Sequence, residues 1–281
     1  KGWNINDKDK EGNSLLYNSV SALAIDEIKF LIANGADVNN HNKLGQTPLH
    51  ITRSPLIARL LINAGADINA IDNNGKTPAF CVSSPLMLDF YKSHGADIPQ
   101  KDRNNATPLH YACFRSNYDM VNYYIKNGFS INVIDKHGSS PLHHNVKYGV
   151  CGGSAMITCL LLINNANPNI RDYDGRTPLH YAIIKPVAYK AVLLLKFGAN
   201  PNIKDKLGNT PLHYAAALPK NYFIDPRILL NAGADPNIKN NKGETPADIA
   251  RKSKSNRKGA FLRRLQMGVD NQAEKAKKNG R

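Results

Sequence analysis

The sequence lacks the features that mark several other classes of protein. It has no run of 18 or more apolar residues, so no membrane-spanning helix is expected. No secretory signal pattern opens the chain. None of its four cysteines forms a C-x-x-C pair, and no tight group of Cys and His marks a zinc site. We therefore expect free thiols in a reducing compartment, with no metal and no cofactor.

Patterns typical of catalysis are also missing. The glycines of Tyr148–Ser154 do not follow the G-x-x-x-x-G-K-[ST] phosphate-loop pattern, which favours a flexible loop between helices. No nucleophile–base–acid set stands apart from the repeats described below. The sequence therefore predicts a protein that is not an enzyme and that has no small-molecule substrate.

Acidic residues are scarce towards the C-terminal end. The chain has 37 Lys and Arg against 22 Asp and Glu, a formal net charge of +15. Residues 251–281 contribute eleven of the basic residues and only two acids. Three interpretations stay open for this segment: a solvated cap, a nuclear-targeting or anionic-surface segment, and a nucleic-acid contact. Nucleic acid is the least favoured of these, because no helix-turn-helix, zinc finger or RNA-binding motif accompanies the charge.

What the sequence does contain is a repeat. The tetrapeptide Thr-Pro-Leu-His begins at 47, 107, 177 and 210, and degenerate copies begin at 14, 77, 140 and 245, which gives a mean spacing of about 33 residues. Two residues before most copies lies a Gly, and three residues earlier an Asp or Asn, a combination typical of tight turns. Apolar runs ending in Gly-Ala-Asp or Gly-Ala-Asn, as at Gly35–Asp37, indicate helices with a glycine cap.

These three signals in phase resemble the ankyrin repeat, and Thr107–Ala112, Thr177–Ala182 and Thr210–Ala215 match its T-P-L-H-x-A signature in full. The resemblance implies an all-α solenoid of stacked helix pairs with β-hairpin-like loops. It covers about residues 2–266, within a predicted ankyrin-repeat domain of residues 1–266, with repeats beginning near 9, 42, 72, 102, 135, 172, 205 and 240. The regular histidines are expected to tie neighbouring loops together rather than to act in catalysis.

The ends and irregular repeats carry further expectations. Residues 1–8 are interpreted as the tail of a truncated upstream repeat, and 267–281 as a polar basic tail after a cap helix over about 258–266. The repeats at Thr47 and Thr77 are short, so their first helices should be clipped, with Ser-Pro starting the second helix. Extra residues are expected between the helices of the fifth repeat and near Leu218–Asn221 of the seventh.

The resemblance implies binding through the hairpin tips and first helices, at positions that the repeat signature leaves free to vary. We predict a groove over repeats four to seven that accepts an acidic or mixed peptide or domain. The candidate tip residues are Lys43, Leu44, Arg103, Lys136, His137, Tyr173, Arg176, Lys206 and Leu207. The candidate first-helix residues are Phe114, Arg115 and Lys185. In addition, Asn39, Asn69 and Asn237 resemble asparagines that are hydroxylated in ankyrin repeats.

The leading hypothesis is therefore a non-enzymatic, monomeric protein-binding module, acting as scaffold, adaptor or effector. It would work in a reducing cytoplasm or, as a secreted bacterial or viral effector, in the cytosol of a host cell. A second hypothesis is the recognition arm of a larger enzyme whose catalytic part lies outside this stretch. Binding of nucleic acid or of an anionic surface through the basic end is the third.

Overall fold

A computed structural model describes residues 4–149, 153–218, 224–252 and 258–279. The chain divides into two compact units. The first comprises Lys1–Ala112 and Asp119–Asn127, and the second comprises Cys113–Tyr118 and Gly128–Arg281. Each unit is built from pairs of helices joined by tight loops.

The helices of both units alternate between a short first helix and a second helix. In the order of the chain they are α1 Leu15–Ser21, α2 Ile25–Ala33, α3 Pro48–Ile51, α4 Pro55–Asn63, a 3-10 helix Pro78–Cys81, α5 Pro85–Ser93, α6 Pro108–Phe114, α7 Tyr118–Lys126, α8 Pro141–Tyr148, α9 Gly153–Ile163, α10 Pro178–Ile184, α11 Ala188–Lys196, α12 Pro211–Ala217, α13 Arg227–Leu230, α14 Pro246–Lys252 and α15 Lys258–Asn279. Within the described ranges the chain forms no strand, and an isolated bridge pairs Lys8 with Ser14. The predicted all-α fold is confirmed.

The Thr-Pro-Leu-His segments start the first helices, as predicted. Thr47 has extended backbone angles and Pro48 occupies the first turn, where its missing N–H group costs nothing. The His50 ring accepts the Thr47 backbone N–H at Nδ1, 3.1 Å away, and its Nε2 lies 3.0 Å from the carbonyl oxygen of Lys76 in the next repeat. Because Nδ1 accepts a hydrogen bond, the neutral ring carries its hydrogen on Nε2 and donates it to the next repeat, so the ring links two repeats.

The core of each unit comes from equivalent positions of successive repeats. The leucine of each Thr/Ser-Pro-Leu-His segment is at most 1% exposed, and each second helix contributes a large buried side chain such as Leu61, Tyr91 or Leu194. Burial of one such leucine contributes about 1.5–3 kcal/mol. Since one helix pair has too little apolar surface to fold alone, stacking of repeats within each unit stabilises the fold.

The loops before the first helices are β-hairpin-like turns, as expected. In one of them the Asp72 carboxylate accepts the backbone N–H groups of Asn74 and Lys76, and Gly75 donates to the Asp72 carbonyl. Backbone bonds then join successive turns, for example from Asn73 N–H to the Leu44 carbonyl in the first unit. In the second unit Tyr173 N–H donates to the His137 backbone carbonyl, and Lys206 N–H donates to the Asp174 backbone carbonyl. These bonds fix the turns and leave the intervening side chains pointing outwards.

The clipped helices of the two short repeats are confirmed. Their first helices are single turns, Pro48–Ile51 and Pro78–Cys81, and the second of these is a 3-10 helix. Ser54 and Ser84 cap the second helices, with proline in the first turn of each. The Ser84 hydroxyl accepts the Met87 backbone N–H, which is the capping bond that the Ser-Pro pattern predicts.

The expected end of the cap helix is wrong. Helix α15 continues to Asn279 instead of ending near Gln266. Phe261, Leu265 and Gly268 form a buried stripe with i, i+4, i+7 spacing, and a side chain at Gly268 would meet Leu230. The segment that follows is rich in Ala, Gln, Glu and Lys, which favour a helix. Packing and helix propensity together therefore continue α15 through residues 267–279, which the sequence analysis assigned to a polar basic tail.

Three expectations fall on parts of the chain outside the described residues. The upstream tail includes residues 1–3, the long loop of the fifth repeat includes 150–152, and the insertion of the seventh repeat includes 219–221. These expectations stay predictions. Cys113 and Cys159 are free thiols, and burial raises the pKa of the Cys113 thiol well above its usual value.

Candidate functional site

The hairpin tips of the second unit are positioned by buried carboxylates. Asp135 is 5% exposed and accepts the backbone N–H groups of His137 and Ser139 and the ring Nε2 of His144. Burial alone would raise the pKa of Asp135, but these three bonds hold it well below its usual range. The turn is therefore fixed around an ionised carboxylate, and Lys136 and His137 stand at its exposed tip.

The predicted binding residues of the second unit are exposed, with one exception. At the tips, Tyr173 is 57% and Leu207 58% exposed, and Phe114 at the end of α6 is 47% exposed. The basic residues that accompany them are also exposed, namely Arg115, Lys136, Lys185 and Lys206. The sequence placed these side chains correctly at the surface, because the repeat register separates tips from the core.

Arg176 is the exception, because it is half-buried and bonded to other residues of the second unit, and its predicted contact with a partner stays a prediction. Its side chain is 27% exposed and lies over the rings of Tyr181 and Tyr214. It donates to the Tyr214 hydroxyl at 3.2 Å and lies 3.7 Å from the carboxylates of Asp174 and Asp205. Arg176 is therefore engaged within the second unit, and reversing its charge would disturb the fold as well as any partner.

A cavity of about 270 Å³ opens between the hairpin tips of repeats five and six and helix α8. The tips contribute His137, Tyr173 and Asp174, and the helices contribute Lys147, Tyr148 and Tyr181. Its size lies just below the roughly 300–1,000 Å³ of small-molecule sites, and it matches a single side chain better than a cofactor. The predicted tip residues His137 and Tyr173 thus meet in one concavity.

Lys147 and Tyr148 are residues of this site that the sequence reading missed. Lys147 occupies the seventh position of its helix, as Phe114 does in α6, and Tyr148 matches Arg115. Alignment of α8 with α6 would have predicted both residues, but the extra residues expected after α8 made this alignment harder to recognise in the sequence. Phe114 lies beside Tyr148, with ring centroids 5.1 Å apart. The two aromatic rings continue the cavity wall towards the preceding repeat.

A second depression lies between the seventh and eighth repeats. Its volume is about 520 Å³, and Leu207 and Ile249 line it together with Glu244 and Lys252. Glu244 and Lys252 form an ion pair of 2.6 Å, which lowers the pKa of Glu244. Since both charges are already paired, this depression offers an apolar contact at Leu207 more than an electrostatic one.

Family models confirm the architecture that the repeats indicate. A model of ankyrin repeats in three copies matches residues 1–72 and 80–172, and a model of ankyrin repeats in many copies matches 160–215 and 193–250. The chain belongs to the ankyrin-repeat family. Ankyrin repeats are generally protein–protein interaction modules. No curated protein sequence matches the chain.

The ankyrin repeats of the first unit carry the remaining predicted tip residues. Lys43 and Leu44 are exposed, and Leu44 is 59% exposed. Arg103 is exposed as well, but its Nη1 donates to the Asn73 carbonyl at 2.9 Å. These residues belong to the first compact unit, whereas the residues that line the cavity belong to the second.

The asparagines proposed for hydroxylation take part in the ankyrin loop ladder. Asn39 accepts the Asp67 N–H at 2.8 Å and donates to the Gly65 carbonyl at 3.0 Å. Asn69 accepts the Asp97 N–H at 2.8 Å, and the Asn237 N–H donates to Asp235. Asn39 and Asn237 are exposed and Asn69 is half-buried. Hydroxylation at these positions stays a hypothesis.

The described ranges lack two further kinds of feature. No helix among these residues is long and apolar enough to cross a membrane. No group of three or more His, Cys, Asp and Glu side chains there is arranged to hold a metal ion.

Proposed function

We propose that the chain is a non-enzymatic binding module whose second unit holds an acidic or mixed-charge protein segment. The contact surface consists of the exposed tips Lys136, His137, Tyr173, Lys206 and Leu207 and the first-helix residues Phe114, Arg115 and Lys185. We call this set the tip surface. Lys43, Leu44 and Arg103 extend the same kind of surface on the first unit.

The observation that carries the proposal is the set of unpaired cations on the tip surface. Arg115, Lys136, Lys185 and Lys206 are exposed, and none forms an ion pair with a described carboxylate. The exposed acid at these tips, Asp174, is already paired with Arg176. An acidic partner would therefore meet positive charge that the module does not neutralise itself, which favours fast and specific association.

Aromatic and apolar side chains supply the second half of the surface. Phe114, Tyr173 and Leu207 are each about half exposed. Large rings and Arg at the centre of an interface contribute most of its binding energy. A partner segment that alternates acidic and apolar residues would match this arrangement, whereas a uniformly acidic polymer would leave the rings uncovered.

The cellular role that fits best is that of a scaffold, adaptor or effector in a reducing compartment. Cys113 and Cys159 are free thiols, and the buried Cys113 thiol is held in its neutral, unreactive form. This role needs no catalytic group, and the histidines of the Thr-Pro-Leu-His segments are occupied by bonds between repeats.

Affinity capture from cell lysate with matched variants tests the proposal. The test variant is Lys136→Glu/Lys185→Glu/Lys206→Glu, and the control is Lys126→Glu/Lys196→Glu/Lys239→Glu, which changes the same charge at exposed positions outside the tip surface. We expect a partner that wild type and control retain and the test variant loses, with capture weakening at about 0.5 M NaCl as charges are screened. Equal capture by all three proteins would contradict the proposal.

A further inference from the structure

Several cations of the described residues lie over tyrosine rings, and two of these, Lys76 and Arg176, are neutralised internally. Lys76 lies 3.7 Å from the Tyr111 ring centroid and 4.0 Å from the Asp102 carboxylate. Arg176 lies over Tyr214 and 3.7 Å from Asp205. In both cases the cation bridges a ring and the carboxylate of the following hairpin, so its charge serves the fold.

Lys147 also lies over tyrosine rings, but no described carboxylate forms an ion pair with it. Its Nζ lies 4.9 Å from the Tyr181 ring centroid and 5.1 Å from that of Tyr148. The side chain is half-buried in the cavity wall, and it forms no ion pair or hydrogen bond with the described residues. Aromatic faces attract a cation but do not supply a counter-ion, so the ammonium group remains available to a partner.

The carboxylates that line the same cavity cannot fill this role. Asp135 accepts bonds from two backbone N–H groups and from His144, and Asp172 accepts two backbone N–H groups and the Tyr181 hydroxyl. Both are at most 7% exposed. Asp174 pairs with Arg176. Each acid is therefore held by its own hydrogen-bond donors or, for Asp174, by Arg176, and none of the three forms an ion pair with Lys147.

We propose that the cavity is an anchor for one Asp or Glu side chain of the bound protein segment, with Lys147 as its counter-ion and Tyr148 and Tyr173 as its walls. This inference rests on the proposed function and assigns it a specific contact. A half-buried ion pair is screened less than the exposed pairs of the tip surface. Lys147 therefore contributes specificity for one acidic position, whereas Lys136, Lys185 and Lys206 contribute general attraction.

The test uses a peptide probe. A random 12-residue display library is selected on the wild-type protein, and the enriched peptides are measured by fluorescence anisotropy. We expect one Asp or Glu to recur at a fixed distance from an apolar residue. Lys147→Met, which keeps the apolar stem on the rings, should weaken binding by about tenfold or more, while Lys196→Met on the exposed end of α11 should stay within about twofold. Lys147→Arg should retain most of the affinity.

A double-mutant cycle identifies the pair directly. Changing the recurring Glu of the peptide to Gln should cost about tenfold against wild type and little further against Lys147→Met. Equal losses against both proteins would overturn the Lys147 anchor. Acidic peptides that depend on Lys136 and Lys206 but not on Lys147 would also overturn it and leave the proposed function standing. Enrichment of basic peptides that use Asp174, or of no acidic peptide, would overturn both.

Discussion

The ring of His143 joins two repeats through opposite nitrogens: Nδ1 accepts the Ser140 backbone N–H at 3.1 Å, and Nε2 donates to the Arg176 carbonyl at 3.1 Å. Because both partners are backbone groups, the contact holds the hairpin that carries Arg176 against helix α8. His180 and His213 repeat this arrangement towards Asn209 and Glu244. The tips of the second unit therefore depend on neutral histidines at equivalent positions of repeats five, six and seven.

Replacing one of these histidines should destabilise the protein without touching the tip surface. His143→Ala leaves the buried Ser140 N–H without its acceptor and removes one of the two hydrogen bonds to the Arg176 carbonyl, which keeps the bond from Asp172 N–H. We expect a loss of about 2–4 kcal/mol in the free energy of unfolding. Urea denaturation followed by circular dichroism measures the change. His137→Ala at an exposed tip is the control and should stay within about 0.5 kcal/mol. Similar effects for the two variants would contradict a linking role for His143.

The same histidines should make stability fall with acid. Burial lowers the pKa of His143 and His180 to about 4 from the usual 6.5, so between these values the unfolded chain binds more protons than the folded one. Stability is therefore complete above pH 6.5 and is lost as the pH falls towards 4, by up to about 3 kcal/mol per histidine. Denaturation midpoints between pH 7 and 4 test this, and a flat profile down to pH 5 would contradict it.

Lys190 should raise the free energy of unfolding as the pH rises above about 8. It is fully buried, donates to the carbonyls of Asn145 and Gly149 at 2.9 Å, and burial lowers its pKa to about 8. From pH 8 towards 10.5 the unfolded chain holds the extra proton, so this residue adds stability as the pH rises. The wild type should gain about 1–2 kcal/mol between pH 8 and 9.5 relative to Lys190→Met. Parallel curves would show that Lys190 does not titrate in this range.

Substitutions at two glycines should distinguish the cost of backbone strain from the cost of a steric clash. Gly45 and Gly65 both have positive φ, of 76° and 88°. A Cβ atom at Gly45 would lie 2.7 Å from the Asn73 backbone nitrogen, whereas Gly65 has nothing within 4 Å. Gly65→Ala should cost about 1 kcal/mol from strain alone, and Gly45→Ala should cost about 1–2 kcal/mol more. Thermal unfolding compares them, and equal losses would contradict the close approach of the neighbouring hairpins.

The sequence predicted the repeats well because their signals are local. Thr-Pro, Asx-x-x-Gly and Gly-Ala-Asp each act within a few residues, so the helix starts at Pro108 and Pro178 and the exposed Tyr173 were found in advance. The predicted end of helix α15 was too early because the continuation of the helix depends on Gly268 packing against Leu230. Register alone did not reveal that Arg176 is bonded to Tyr214 in the next repeat while Lys147 has no counter-ion. Pairing of charges is a tertiary property, and the candidate site was therefore predicted less completely than the fold.

Site-specific photo-crosslinking tests the central claim most directly. The photoreactive residue p-benzoylphenylalanine replaces Tyr173 or Leu207 on the tip surface, or Tyr189 or Phe197 on the second helix α11 and its cap, where the side chains are 47% and 39% exposed. After exposure to lysate and irradiation, the Tyr173 and Leu207 variants should each form a crosslink to the same captured protein, and the Tyr189 and Phe197 variants should form none. Crosslinks from Tyr189 and Phe197 alone would contradict the account and place the partner on the second helices.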